Sequence, residues 1–244
     1  MADILTHASL ATSLEAYYEL NESSGTRIDR TANARNLTDT NSNVSGVSGA
    51  LNNAASIGTA ANNWLRNTSG HGIDGGAMSM SIWFKARTDI TAGAWYIISQ
   101  TNNGTKTRYF PYYEYNGGTR RLGFHRDKVN VGAQTSDYTV TLGTTWHHIV
   151  LAYDGTNMRG YIDGSLVAGP TAMSGSGSGT ATTGLAIADN MYDVDTTNAD
   201  FDIDEVGIWS KSLSSTEVTD LYNSGSPLPY SELATVNSAF FNFM

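Results

Sequence analysis

The chain contains no cysteine. Disulfides, thiolate metal centres and cysteine nucleophiles are therefore excluded. Charge is sparse, at 15% of residues, where about a quarter is usual. Positive charge is scarcer still: 14 basic residues face 23 acidic ones, a net charge of -9. Phosphate binding needs a basic surface, so nucleic acid is not expected as a partner. No run of about 18 apolar residues exists to cross a membrane as a helix, so no membrane partner is expected. The opening "MADILTHASLATSLEAYYEL" lacks the charged and then continuously apolar pattern of a secretory signal, so the expectation is a soluble protein with no export route of its own.

What is present suits an ordered chain. Hydrophobic residues make up 40% of it, enough to bury a core. Gly, Ser, Thr and Asn replace the missing charges, which fits short strands joined by many turns. "LEAYYEL", "SMSIWFKA", "AWYIISQ", "RYFPYYEY", "RRLGFHR", "HHIVLAYD", "MRGYID" and "FDIDEVGIW" are rich in aromatic and β-branched residues and bounded by Gly, Asn, Asp or Ser. Asn116-Gly117-Gly118 is a hairpin signal, because primed turns need positive φ. Asp154-Gly155 and Asp163-Gly164 mark two more turns about nine residues apart. The expected fold is an all-β, two-sheet antiparallel jelly-roll sandwich.

One helix is expected. Ser214 and Glu217 form a capping box, and Leu213 with Val218 a hydrophobic staple. Gly225 and Pro227 stop it. The sandwich is assigned to residues 13–226, with an extension at 1–12 and a tail at 227–244. Phe240, Phe241 and Phe243 in that tail would be a sticky patch if exposed, so it is read as an assembly contact.

Four segments in order carry a family resemblance: "LEAYYELNESSGTRIDRTANARNLT", "SMSIWFKA", "WHHIVLAYDGTNMRGYIDGSLVAG" and "DIDEVGIWSKSLSSTEVTDLYNSG". Together they resemble laminin-G-like, concanavalin A-like domains of the pentraxin-related branch. The resemblance implies a sandwich of two curved sheets whose concave face and rim loops can take ligands, often glycans. Such domains occur on bacteriophage particles. The resemblance thus implies a virion surface protein, part of a larger assembly or a homo-oligomer. The alternative is a cell-surface adhesin.

The strongest local signal is acidic. Asp189, Asp193, Asp195, Asp200, Asp202, Asp204 and Glu205 crowd a stretch in which no Lys or Arg occurs between Arg159 and Lys211. Hard cations need several oxygen ligands at short range. The spacing is not that of an EF-hand. By resemblance, a structural calcium would link Glu22 and Asp29 near the first strand to Asp204 near the last. The segments "TANARN" and "ALNNAASIGTAANNWL" depart from the family's usual pattern around such a site. A hydrolase reading uses Asp200, Asp202 and Glu205 in the rhythm of concanavalin A-like glucanases. Strand alternation puts Glu205 opposite Asp200 unless a bulge intervenes. No catalytic set is therefore assigned. Adjacent His147 and His148 point to opposite sides of a strand and make a poor zinc pair. One is read as buried beside Trp146, the other as exposed.

A binding surface is read in "TKTRYFPYYEYNGGTRRLGFHRDK", where aromatics alternate with six of the basic residues. Tyrosine faces stack on sugar rings, and arginine forks pair with carboxylates or sulfates. Tyr113 and Tyr115 share one strand face, Tyr112 and Phe110 the other, and Arg121 and His125 share a face of the partner strand. One hairpin face must be core, and the sequence leaves open which. Trp83, Trp95, Trp146 and Trp209 are read as core strand residues. Trp64, in the polar "NNWLRN", is the candidate exposed platform. The candidate ligand set is thus Trp64, Tyr112, Tyr113, Tyr115, Arg121 and His125, for a glycan or host-surface ligand.

Overall fold

The computed structural model describes residues 3–39, 41–59, 63–68, 73, 76–101, 108–128, 132–173, 184–188 and 199–231. Its strands are β1 (Leu14–Tyr18), β2 (Thr38–Asp39), β3 (Ser45–Ser48), β4 (Asn53–Ile57), β5 (Leu65–Asn67), β6 (Met78–Ala86), β7 (Gly93–Tyr96), β8 (Ile98–Thr101), β9 (Arg108–Asn116), β10 (Thr119–Lys128), β11 (Gly132–Thr139), β12 (His147–Tyr153), β13 (Asn157–Ile162), β14 (Ser165–Ala172), β15 (Gly184–Ile187) and β16 (Phe201–Trp209). The helix α1 (Ser215–Tyr222) follows. One sheet runs β14-β13-β12-β6-β16-β4-β3, with β1 also on β16; the other runs β11-β10-β9-β8-β15-β5-β2, with β7 also on β9. All strand pairings among the described residues are antiparallel. The expected all-β sandwich is present.

Strand β16 shows how sequence sets the core. Phe201 and Ile203 point between the sheets, and so do Val206 and Ile208. Strict alternation would send the second pair outward. A register shift between Asp204 and Gly207, with Glu205 in the left-handed region at φ 46°, restores them to the core. The bulge also divides the strand by partner. Phe201 to Ile203 pair with β4, whereas Val206 to Trp209 pair with β1. Inside the sandwich Phe84 packs on Phe201 and Tyr113 at 5.1 and 6.3 Å between ring centroids. Such pairs add roughly 1 kcal/mol each beyond the area they bury.

The outer face of the first sheet is buried too. Ile4, Leu10, Tyr17, Val150, Tyr161, Trp209, Leu213, Val218, Leu221, Leu228 and Tyr230 form a second apolar cluster there. The Trp209 indole N–H donates to Leu10 O at 2.7 Å. Residues 3–13 and 227–230 thus pack onto the sandwich, and Ile4 N–H and Leu5 N–H bond Pro229 O and Tyr230 O. The Phe-rich end of the tail, together with Asp189, Asp193 and Asp195, lies outside the described residues. The capping box forms as expected: Ser214 Oγ accepts from Glu217 N–H at 3.3 Å, and Ser214 N–H donates to Glu217 Oε2 at 2.8 Å.

Some local expectations change. "AWYIISQ" is two strands, β7 and β8, interrupted at Ile97. Trp146 is half-buried and precedes β12, with Lys85 Nζ 5.0 Å from its ring centroid. The buried histidine, His148, packs on Trp83 at 5.3 Å rather than on Trp146. Its Nε2 meets Ser81 Oγ at 2.8 Å, and burial lowers its pKa to about 3. His147 is not free in solvent. Its Nδ1 is 2.8 Å from Asp163 Oδ2 and its Nε2 is 2.8 Å from Leu142 O. Both of these partners are acceptors and favour the doubly protonated ring, and the hydrogen bond to Asp163 raises its pKa.

Candidate functional site on the outer face of the second sheet

The acidic stretch resolves into separate arrangements. Asp202 faces Lys85 across the β16–β6 register and pairs with its Nζ at 2.8 Å. Asp200 pairs with Arg87 at 2.6 Å and accepts from the Thr88 hydroxyl at 2.8 Å. The cations missing from the local sequence thus come from β6 and the residue after it. Asp204 is fully buried; its two oxygens accept from Leu51 N–H and Glu205 N–H, each at 3.0 Å. Burial raises its pKa to about 8 despite those donors. Burial, and then the Asp204 charge, push Glu205 well above the carboxylate range. The Tyr17 hydroxyl meets Glu205 Oε2 at 2.5 Å, whereas Oε1 has no hydrogen-bond partner.

These contacts do not fit the expected calcium set. Asp29 Oδ1 accepts from Tyr17 N–H at 3.1 Å and Thr31 N–H at 3.0 Å, and its Oδ2 from Arg35 N–H at 2.9 Å. Glu22 Oε1 accepts from Ile28 N–H at 2.9 Å. At Asp29 and Asp204 a cation would have to share oxygens that already accept N–H groups, whereas Glu22 Oε2 is buried without a partner. Among the described residues no group of three His, Asp or Glu is arranged to hold a metal ion. Glu22, Asp29 and Asp204 are therefore not assembled as a cation site. Nor do Asp200, Asp202 and Glu205 form an open acid pair. The bulge does turn Glu205 toward the Tyr17 side, but it is 3% exposed there, and the two aspartates are held by cations.

The open chemistry lies on the second sheet. The two-residue loop Gly117-Gly118, both at positive φ, fixes the β9–β10 register. It sets Arg121 opposite Glu114, Gly123 opposite Tyr112 and His125 opposite Phe110. Strand β11 adds Asp137 opposite Gly123, and β7 adds Tyr96 opposite Tyr112. Alternation places all of these on the solvent side of the sheet. The Tyr112 ring lies across Gly123: a Cβ there would come within 2.2 Å of the ring. His125 stacks on Phe110 at 4.2 Å, and Tyr96 meets Phe110 edge-on at 5.2 Å. Phe110 is the buried floor, with Tyr96, Tyr112 and His125 half-buried around it.

Polar groups hold this aromatic patch. Tyr112 O–H donates to Asp137 Oδ1 at 3.1 Å. Arg121 Nη2 is 2.9 Å from Glu114 Oε1, and its Nη1 is 3.8 Å from Asp137 Oδ2. Burial and then the Asp137 charge keep the Tyr112 phenol protonated. The result is a Tyr112 ring face fixed in orientation, flanked by tilted rings and edged by acceptors. That is a shape suited to stacking on a ring with hydroxyls around it.

Of the sequence candidates, the structure brings together Tyr112, Arg121 and His125. Tyr113 belongs to the core instead: it is fully buried, and its hydroxyl accepts from Leu142 N–H at 3.1 Å. Tyr115, on the same inner side, packs against the core edge with the Arg120 guanidinium 5.4 Å from its ring centroid. Trp64 is half-buried under the Arg66 guanidinium at 4.1 Å. It immediately precedes β5, three strand positions from β9, or about 14 Å at the usual strand spacing. It is a separate feature. Glu114, Asp137 and Tyr96 were missed. The glycine pair between β9 and β10 could have revealed Glu114, because that loop sets the pairing.

Comparison with known proteins agrees with the architecture. A laminin-G-type family model, described as the concanavalin A-like lectin/glucanases superfamily, matches residues 58–219. No curated protein matches the chain significantly by sequence. The binding domain of botulinum neurotoxin serotype G is similar in structure at a TM-score of 0.66 and 16% identity, over 86% of this chain and 50% of that one. The binding domain of botulinum neurotoxin DC, solved in complex with SialylT, gives 0.66 and 16%, over 87% of this chain and 52% of that one. A Trypanosoma rangeli sialidase, solved with 2,3-difluorosialic acid, gives 0.66 and 12%, over 90% of this chain and 34% of that one. The chain thus spans about half the length of the toxin binding domains. At these identities the likeness is one of fold. The strand order, the two-sheet core and the family match together place this chain in the concanavalin A-like lectin/glucanase superfamily.

Proposed function

We propose that this chain is a non-enzymatic recognition module that binds a glycan on the outer face of β7, β9, β10 and β11. The observation that carries this reading is the Tyr112 ring, laid across Gly123 and fastened by Asp137, with Tyr96 and His125 beside it. A preset aromatic plane loses little entropy on binding a sugar ring. The neighbours support the class of function, since they include toxin binding domains solved with SialylT and with rat synaptotagmin II. Hydrolysis is less supported, because the acids of β16 are ion-paired or buried.

The setting we propose is a virion surface. A cysteine-free sandwich suits a particle assembled in a reducing cytoplasm better than a secreted adhesin. Two measurements test the reading. On a glycan array, Tyr112→Ala is expected to weaken whatever the wild type binds at least tenfold, about 1.4 kcal/mol. Undiminished binding would move the site elsewhere. Mass spectrometry of purified particles is expected to find the chain; its absence there would favour the adhesin.

A further inference from the structure

The charges on this face bear on what kind of glycan it takes. Around Tyr112 they are Arg121, Glu114 and Asp137, with His125 as the titratable neighbour, and further along the strands the register sets Arg108 opposite Asp127. Arg121 would ordinarily be the anchor for a sialic acid carboxylate or a sulfate. Here its guanidinium is already engaged by Glu114 at 2.9 Å and Asp137 at 3.8 Å. Two carboxylates thus stand against one guanidinium, in a chain whose net charge is -9. The Tyr112 hydroxyl proton is also committed, since it donates to Asp137. What the face offers is acceptors: a carboxylate has about four lone-pair sites, and these contacts occupy only some of them. Sugar hydroxyls are donors that match them, while an anionic substituent beside Tyr112 would meet two like charges against one guanidinium already paired with Glu114.

We propose that this face selects neutral glycans and discriminates against sialylated, uronic or sulfated ones. The inference rests on the glycan reading of the same face. It differs from what the arginine-rich hairpin suggests in sequence, because the acids that neutralise Arg121 lie on the neighbouring strands β9 and β11.

The test is an array of neutral hexose and N-acetylhexosamine oligosaccharides, each printed beside its sialylated and sulfated counterpart and probed with the full chain. Wild type is expected to bind neutral members at least tenfold better than their acidic counterparts. The double variant Glu114→Gln, Asp137→Asn frees the Arg121 guanidinium and should narrow that gap at least threefold. A second variant, Tyr112→Ala, separates the two levels of the argument. If acidic members bind best and Tyr112→Ala weakens that binding at least tenfold, the face is a glycan site and the neutral selectivity is refuted. If binding is undiminished in Tyr112→Ala, the site reading itself fails. No binding to any member overturns both.

Discussion

Glu205 gives the sharpest test of the packing. It sits at the bulge, 3% exposed, with Oε1 unpartnered and Oε2 against the Tyr17 hydroxyl. Burial and the Asp204 charge raise its pKa well above its ordinary 4.5. The folded state therefore binds this proton more tightly than the unfolded chain. Stability is fully present below about pH 4.5 and falls as pH rises toward the folded value, by about 1.4 kcal/mol per pH unit for this one group. Glu205→Gln removes the titration and keeps an acceptor for Tyr17. It also places an amide N–H2 where Oε1 has no partner, at a cost of about 1–3 kcal/mol. The two effects oppose each other. The stability of the variant relative to wild type should therefore rise as pH rises. Urea unfolding at pH 6, 7 and 8 measures both curves. A difference between variant and wild type that stays constant with pH would refute the buried-proton argument. His147 contributes the same sign of slope in both proteins, so the comparison reports Glu205 together with the neighbouring Asp204 to which it is coupled.

Three further outcomes are expected. The His147–Asp163 pair should stabilise the fold most between the ordinary values of its members, 3.8 and 6.5, because the folded His147 value is raised and that of Asp163 lowered. Its contribution, roughly 1 kcal/mol after solvent screening, should fade as pH rises through the folded His147 value. NMR titration of the ring should show a pKa above 6.5, and a value below it would refute the doubly donating arrangement. Gly123→Ala should displace the Tyr112 ring and weaken glycan binding at least tenfold while shifting the melting temperature by only a few degrees; full affinity would contradict the stacked geometry. EDTA should leave the melting temperature unchanged, since Asp29 and Asp204 already accept backbone N–H groups. A fall that added calcium reverses would refute this.

The fold was legible where chemistry is local. The strands β6, β12, β13 and β16 announce themselves by aromatic and β-branched runs, and α1 by its capping box. Even the bulge could be sensed, because Phe201, Ile203, Val206 and Ile208 cannot share a face without it. Strand β11, "GAQTSDYT", was not legible. It is an edge strand with few apolar side chains, so it carries no alternation to read. Its absence hid Asp137, the residue that fixes Tyr112. The acidic run misled for a related reason. Sequence shows that no cation is near along the chain, whereas Lys85 and Arg87 reach it from the adjacent strand and just beyond. Tyr113 and Tyr112 are neighbours of the same type, and only the second sheet's partner decides which of them the core receives.

The backbone bonds that join Ile4 and Leu5 to Pro229 and Tyr230 have a practical consequence. They hold both of these segments on the outer side of the first sheet, while the Tyr112 surface faces away from the second. A fluorophore, bead or sensor chip coupled next to either segment would present the aromatic face outward, one sandwich thickness from its anchor. Orientation on a solid support thus comes with the fold, and immobilised chains can be assayed without a spacer.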